Sequence, residues 1–454
     1  VVESECSMSL SRNGRKTNLR YGKDFISDYV AEQDSSVTAP VVFAGFSITA
    51  PELKHDDYAG IDARGKIVAF LMGVPKSFPE PHKTWYRSRR LQIQNALDHG
   101  AVGILVIPTP ETQKRFSMET LLQMTRRPAL IWADEAGRPG PSRPEMRGAA
   151  FLSGRGIKKL FAGAPRSLEE VYKTAEAGQP QGFDLPVQAS LRTVSRREST
   201  GSSNVAAVLR GSDPKLRDEY VVVTAHLDHV GVDEPVKGDA IYNGAYDNAA
   251  GVASLLEMAN AFSRLPTPPR RSVLFVALTA EEKGLYGSDY FVRYPTVPFD
   301  RIVANLNLDM YLMLFPLKDV VAFGAEYSSI GPTLEKATSR LGIKLTPDPL
   351  PEENIFMRSD QFSFVKKGIP SVYLMSGIET SDPSVNGLDV LKRWLEEVYH
   401  QPNDDMNQKM DFEAGAQFTR INFLLTWMMA QEDEAPRWTP GNFFGDKFGP
   451  RIRQ

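Results

Sequence analysis

Tyr220-Val221-Val222-Val223-Thr224-Ala225-His226-Leu227-Asp228-His229 decides how the second half of the chain reads. A short run of strand-forming residues passes directly into a polar cluster, so a buried strand delivers chemistry at its carboxyl end. In an extended chain residues two apart share a face, and His226 and Asp228 therefore project together. A metal-binding imidazole uses that spacing when a carboxylate accepts its other N–H and fixes its tautomer. Taken alone, His226 also reads as a structural histidine. His229 has no partner legible in the sequence and reads as structural.

Outward from this stretch the pattern repeats. Strands at 220–224, 273–278, 302–308 and 371–374 alternate with helical segments at 249–262, 284–293 and 330–341. Such alternation predicts an α/β fold whose mostly parallel sheet carries helices on both faces. In that architecture ligands sit beyond the carboxyl ends of strands. The first half offers apolar runs bounded by Gly or Pro at 41–46, 65–71 and 103–107, and a helix over 87–99 closed by Gly100, which together make a smaller β/α unit. A second helical stretch covers 156–177 before Gly178-Gln179-Pro180-Gln181-Gly182 breaks it, placing the domain junction between about 178 and 197. The predicted domains are 38–185 and 186–454, with residues 1–37 open to joining the second.

Bulk properties narrow the function classes. A length of 454 residues with 42% hydrophobic and 24% charged residues describes a globular protein of two or more domains. Apolar runs such as 273–280 are too short to cross a bilayer, so no membrane span is predicted. A net charge of −3 gives no footprint for nucleic acid, and Arg87-Ser88-Arg89-Arg90 and Arg126-Arg127 read as solvated faces. Cys6 is the sole cysteine, which excludes an intrachain disulfide and Cys-rich zinc sites and leaves His, Asp and Glu as metal ligands. The start Val1-Val2-Glu3, without Met, reads as a processed or trimmed form.

Further candidates lie at other strand exits. Asp247, in Tyr242-Asn243-Gly244-Ala245-Tyr246-Asp247-Asn248-Ala249-Ala250-Gly251, precedes a helix. It reads as an N-cap or, having two oxygens, as a bridge between divalent ions roughly 3.5 Å apart. Glu281-Glu282 follows the strand 273–278 and reads as a surface pair, or as one ligand beside one general base. Asp309 ends Val303-Ala304-Asn305-Leu306-Asn307-Leu308, where a buried carboxylate needs a partner that metal would supply. Tyr399-His400-Gln401-Pro402-Asn403-Asp404 sets an imidazole before a proline-fixed turn, beside a phenol able to donate to a developing oxyanion.

In this order, His-x-Asp, Asp-Asn-x-x-Gly, Glu-Glu-x-Gly, Leu-Asp and Tyr-His-x-Pro-x-Asp resemble the co-catalytic di-zinc aminopeptidase family of the bacterial leucyl aminopeptidase type. Gly65-Lys66-Ile67-Val68 and His99-Gly100-Ala101-Val102-Gly103 resemble the protease-associated (PA) domain inserted in some of its members. The resemblance implies a three-layer zinc-peptidase sandwich that binds two zinc ions per chain. One ion falls to His226 and Asp309, the other to Glu282 and His400, and Asp247 bridges them. Glu281 becomes the general base, Asp228 the orienter of His226, and Tyr399 the group that polarises the substrate carbonyl. The implied activity is that of a metallo-exopeptidase hydrolase taking the first residue from peptides with a free N-terminus. The implied location is exported, periplasmic or extracellular. The rival readings are a carboxypeptidase or dipeptidase of the same superfamily, a single-zinc glutaminyl cyclase, and a non-catalytic protein like the transferrin receptor. The first rival needs an arginine fork, for which Arg358 is the position to watch, its alternative being an ordinary surface arginine.

Overall fold

In the computed structural model, which describes residues 2–27, 34–115, 118, 121–122, 128–140, 143–179 and 181–449, the chain divides into two compact units, Val1–Thr200 and Gly201–Gln454. Arg126-Arg127 and Pro180 lie outside the described residues.

The second unit is built on a seven-stranded sheet in the order Val205–Leu209, Ser272–Leu278, Tyr220–His226, Ile302–Asn307, Ser371–Ser376, Asp319–Phe323, Lys344–Thr346. Its middle is parallel, from Ser272–Leu278 to Ser371–Ser376. Val205–Leu209 runs antiparallel to Ser272–Leu278, and Asp319–Phe323 runs antiparallel to Ser371–Ser376 but parallel to Lys344–Thr346, which makes the whole sheet mixed. Val221 and Val223 pack with Met258, Leu334 and Phe418, which come from the helices Ala250–Ser263, Ile330–Arg340 and Phe412–Gln431. Val222, Leu274 and Val276 face the other way, onto Phe291 and Phe364 of Tyr286–Arg293 and Gln361–Val365. Helices on both faces give the three predicted layers, and they explain why these strands read as unbroken apolar runs. Each fully buried Val, Leu or Phe contributes about 1.5–3 kcal/mol by leaving water. Because the central strands are parallel, the segments following His226, Leu278 and Asn307 all emerge at one edge of the sheet.

The first unit has an eight-stranded sheet in the order Arg15–Leu19, Val2–Arg12, Phe183–Arg196, Asp34–Phe43, Ile67–Met72, Gly103–Pro108, Ala149–Leu152, Phe25–Ser27. Its parallel centre matches the predicted apolar runs, and Gly100 follows the helix Arg89–Asp98 with a φ of 82°. The predicted junction instead holds the strand Phe183–Arg196, paired to Val2–Arg12 on one side and Asp34–Phe43 on the other. The compact units therefore part at Thr200/Gly201 rather than 185/186, and residues 2–12 belong to the first sheet. The helical stretch expected over 156–177 is two helices, Gly154–Leu160 and Leu168–Glu176. Gly163 turns at a φ of 71°, Pro165 has no N–H to continue the ladder, and Ser167 with Glu170 forms a capping box that starts the second helix. Among the described residues no helix is long and apolar enough to cross a membrane.

Candidate metal centre

At the edge where the parallel strands end, His226 is almost fully buried, and its Nε2 lies 3.1 Å from Asp309 Oδ1 and 3.2 Å from Asp247 Oδ1. Asp247 turns its second oxygen to His400, with Nε2 to Oδ2 at 3.1 Å, and the same Nε2 lies 3.1 Å from Glu282 Oε1. Two groups of donor atoms, sharing Asp247, are thereby brought together from segments remote in sequence. The helix Ala250–Ser263 begins after Ala249 without a side-chain cap, so the Asp247 carboxylate serves the imidazoles and not the helix.

Asp228 departs from its expected geometry. His226 Nδ1 meets the Asp228 main-chain carbonyl at 3.0 Å, while the carboxylate stands 3.9 Å away. That carboxylate accepts from the amides of Glu281, at 3.1 Å, and Glu282, at 3.4 Å. One residue thus fixes the ring through its backbone and the Glu281-Glu282 turn through its side chain.

His229, read as structural, is drawn into the cluster with Nδ1 2.9 Å from Glu282 Oε1. Its sequence gave no signal because Glu282 and Asp247 reach it only through the fold. Other supporting residues were equally silent. Asn248 accepts from the amides of Gly251 and Met310 at 3.0 and 3.2 Å and donates to the Leu308 carbonyl at 3.0 Å, tying the Asp247 and Asp309 loops together. Asp404 accepts from the amides of Tyr246 and Asp247 at 2.9 and 3.1 Å, tying the Asp247 loop to the His400 turn. His400 itself is held at a φ of 56°. A left-handed conformation costs a residue with a Cβ roughly 1–2 kcal/mol. Beneath Asp309 a buried polar ladder runs from Asn305 through Thr224 and Asn307 to Ser359, whose hydroxyl donates to Asp309 Oδ2. Asparagines at alternate positions of an otherwise apolar strand are the signal that could have revealed it.

Electrostatics point to a cation. Burial alone would lower the His400 pKa, yet hydrogen bonds and charge from Asp247 and Glu282 raise it to about 9. Removal from water, only partly opposed by the charge of His226, combines with Asp309, Asp360 and Glu282 to push the Glu281 carboxyl well above the usual range. The clustered carboxylates thus favour positive charge at this place. The sets His226, Asp247, Asp309 and His229, Asp247, Glu282, His400 each bring their donor atoms within 4.8 Å of one another. Imidazole and carboxylate donors at such spacing suit zinc.

Around this core, the Tyr399 ring stacks on His400 with centroids 3.9 Å apart. Burial, reinforced by Asp247 and opposed by Arg358, raises its phenol well above the ordinary value and keeps it a hydrogen-bond donor. Arg358 donates to the Glu353 carboxylate at 3.1 Å and to its carbonyl at 3.2 Å.

Residues 204–425 match the family model described as Peptidase family M28. Among curated proteins, the "probable leucine aminopeptidase 2" of Aspergillus oryzae is 27% identical over 251 residues, covering 52% of this chain and 45% of the relative. Human "Transferrin receptor protein 2" is 26% identical over 300 residues, covering 60% and 34%. The matched segments thus span less than half of either relative. Among solved structures, the aminopeptidase from Aneurinibacillus sp. strain AM-1 superposes with a TM-score of 0.52 over 97% of this chain and 82% of that one, at 20% identity, which shows a shared fold.

Proposed function

We propose, from the premise that residues 204–425 belong to Peptidase family M28, that the chain is a zinc-dependent aminopeptidase using a carboxylate-bridged two-zinc site. The observation that carries this reading is the pair of donor groups meeting at Asp247, with Glu281 beside them but outside both. His226 and Asp309 would hold one ion and Glu282 and His400 the other, with Asp247 shared. When bound, zinc supplies a Lewis acid that acidifies water and polarises a carbonyl.

The chain's own groups do the rest. Glu281 takes a proton from the attacking water and returns it to the leaving amine, a task suited to a carboxylate whose proton affinity is already raised. The Tyr399 hydroxyl donates to the oxyanion that develops on the scissile carbonyl. Asp228 keeps His226 and the glutamate pair in register through its carbonyl and its carboxylate. The surrounding carboxylates favour a substrate's α-ammonium group over its carboxylate. The pairing of Arg358 with Glu353 weakens the case for a carboxylate-binding fork. We assign the first unit as PA-like and the protein as exported, acting on peptides with a free N-terminus.

The test is elemental analysis of purified protein together with matched free and N-acetylated peptides. About two zinc ions per chain and cleavage only of free peptides are expected. Equal cleavage of acetylated peptides, or release from the carboxyl end, would transfer the reading to a carboxypeptidase. Full activity with metal absent would reject it.

A further inference from the structure

We propose that His229 is a direct ligand of the ion held by Asp247, Glu282 and His400, so that this site is closed by four protein groups while the His226 site keeps an open position. The inference rests on the two-zinc reading and adds to it an asymmetry between the ions.

His229 Nδ1 lies 2.9 Å from Glu282 Oε1 and 3.9 Å from Asp247 Oδ2, and His400 Nε2 lies 3.1 Å from each of those oxygens. A tetrahedral ion with bonds of roughly 2.0–2.1 Å needs donor separations of about 3.3 Å, and these distances bracket that value. The two imidazoles meet edge to face, with centroids 5.4 Å apart, an arrangement that lets both rings converge on one point.

The His229 ring has no other occupation. Its side chain is 7% exposed, and among the described residues neither ring nitrogen makes a hydrogen bond of acceptable geometry. A buried imidazole idle at both nitrogens has given up its water without replacing it, which destabilises the fold unless another ligand takes the ring. A histidine that merely oriented Glu282 would donate to it in line; this one lies close without that alignment. The chain also makes room for it. Gly244 has a φ of 70°, and a Cβ there would fall 2.6 Å from His229 Cγ and 2.8 Å from its Cβ. Glycine at 244 therefore cradles the ring just before the loop that delivers Asp247.

Four protein ligands characterise zinc sites that hold an ion in place, and three with an open position characterise sites where chemistry occurs. The closed site would anchor its ion, and the substrate carbonyl would be polarised at the His226 side.

The experiment is a zinc titration against a competing chelator on full-length wild type, His229→Ala and His229→Gln. Bound zinc is read by elemental analysis, and the visible spectrum of the cobalt-loaded proteins is recorded. Melting curves of the metal-free proteins check that each variant folds. The expectation is that one of two binding steps weakens more than a hundredfold in both variants, beyond the 10–100-fold typical of losing an outer partner. The cobalt bands of that step should also change. Unchanged binding in folded variants overturns the proposal and leaves the two-zinc reading standing. A smaller loss with an unchanged cobalt spectrum also overturns it, making His229 a positioning residue. A wild type that binds no zinc removes the reading beneath it.

Discussion

Adjacent glutamates at one strand exit make the sharpest case for residue-level division of labour. Glu282 reaches two imidazoles, His229 and His400, whereas Glu281 is buried among like charges, and that burial first and those charges second raise its proton affinity. Surface acids would respond alike to neutralisation. A base and a ligand would not. Glu281→Gln is expected to keep its zinc yet lose on the order of a hundredfold or more in turnover, since only proton transfer is removed. Glu282→Gln is expected to weaken one ion, because an amide oxygen is a poorer zinc donor than a carboxylate, and excess zinc should partly restore it. Bound zinc and turnover, followed together across a zinc titration, separate the two. Near-normal turnover in Glu281→Gln, or metal loss there with retention in Glu282→Gln, would reverse the assignment.

Single elements owe their positions to close backbone approaches that sequence alone does not announce. The helix Ala250–Ser263 comes so near the Asp309 strand that a Cβ at Gly251 would lie 2.2 Å from Asn248 Oδ1 and 2.5 Å from the Leu308 carbonyl. Gly251→Ala must therefore displace the Asp247-Asn248 segment. A loss of about 1–3 kcal/mol in unfolding free energy is expected, with weaker zinc binding. Gly201→Ala, which meets nothing within 4 Å, should stay within about 0.5 kcal/mol of wild type. Denaturant melts of both variants decide it, and equal stability would remove the steric argument. The same scale explains what could be read beforehand. Strands such as Tyr220–His226 are buried on both faces, so apolar runs betrayed them and their polar ends betrayed the site. Phe183–Arg196 buries only alternate residues, from Leu185 to Ser195, and its outward Gln188, Arg192 and Arg196 made it read as a junction. Asp228 shows its spacing but not its geometry, because a spacing of two does not decide whether the carbonyl or the carboxylate accepts from the ring, and here the carbonyl is the nearer at 3.0 Å against 3.9 Å. His229 stayed hidden because its cradle, Gly244, and its contact, Glu282, are local to it only after folding.

For the whole molecule, the candidate metal centre concerns one unit alone. Its donor groups come from the exits of three parallel strands, the loop before a helix and the His400 turn, so bound ions would tie together segments that otherwise repel through their carboxylates. Ligand that binds only the native state stabilises by mass action, by about 2.7 kcal/mol at a hundredfold excess over its dissociation constant. Chelation should accordingly speed amide hydrogen exchange on the order of a hundredfold in peptides spanning 220–229, 245–251, 279–284, 303–311 and 398–404. The strands Ile67–Met72 and Gly103–Pro108 belong to the other compact unit, whose sheet contains none of these donors. Their exchange should be unmoved. Exchange measured peptide by peptide, with and without chelator, makes the comparison within one sample. Acceleration spread evenly over both units would mean that zinc acts on global stability rather than through this cluster. No acceleration at 245–251 or 398–404 would mean that Asp247 and His400 hold no ion at all.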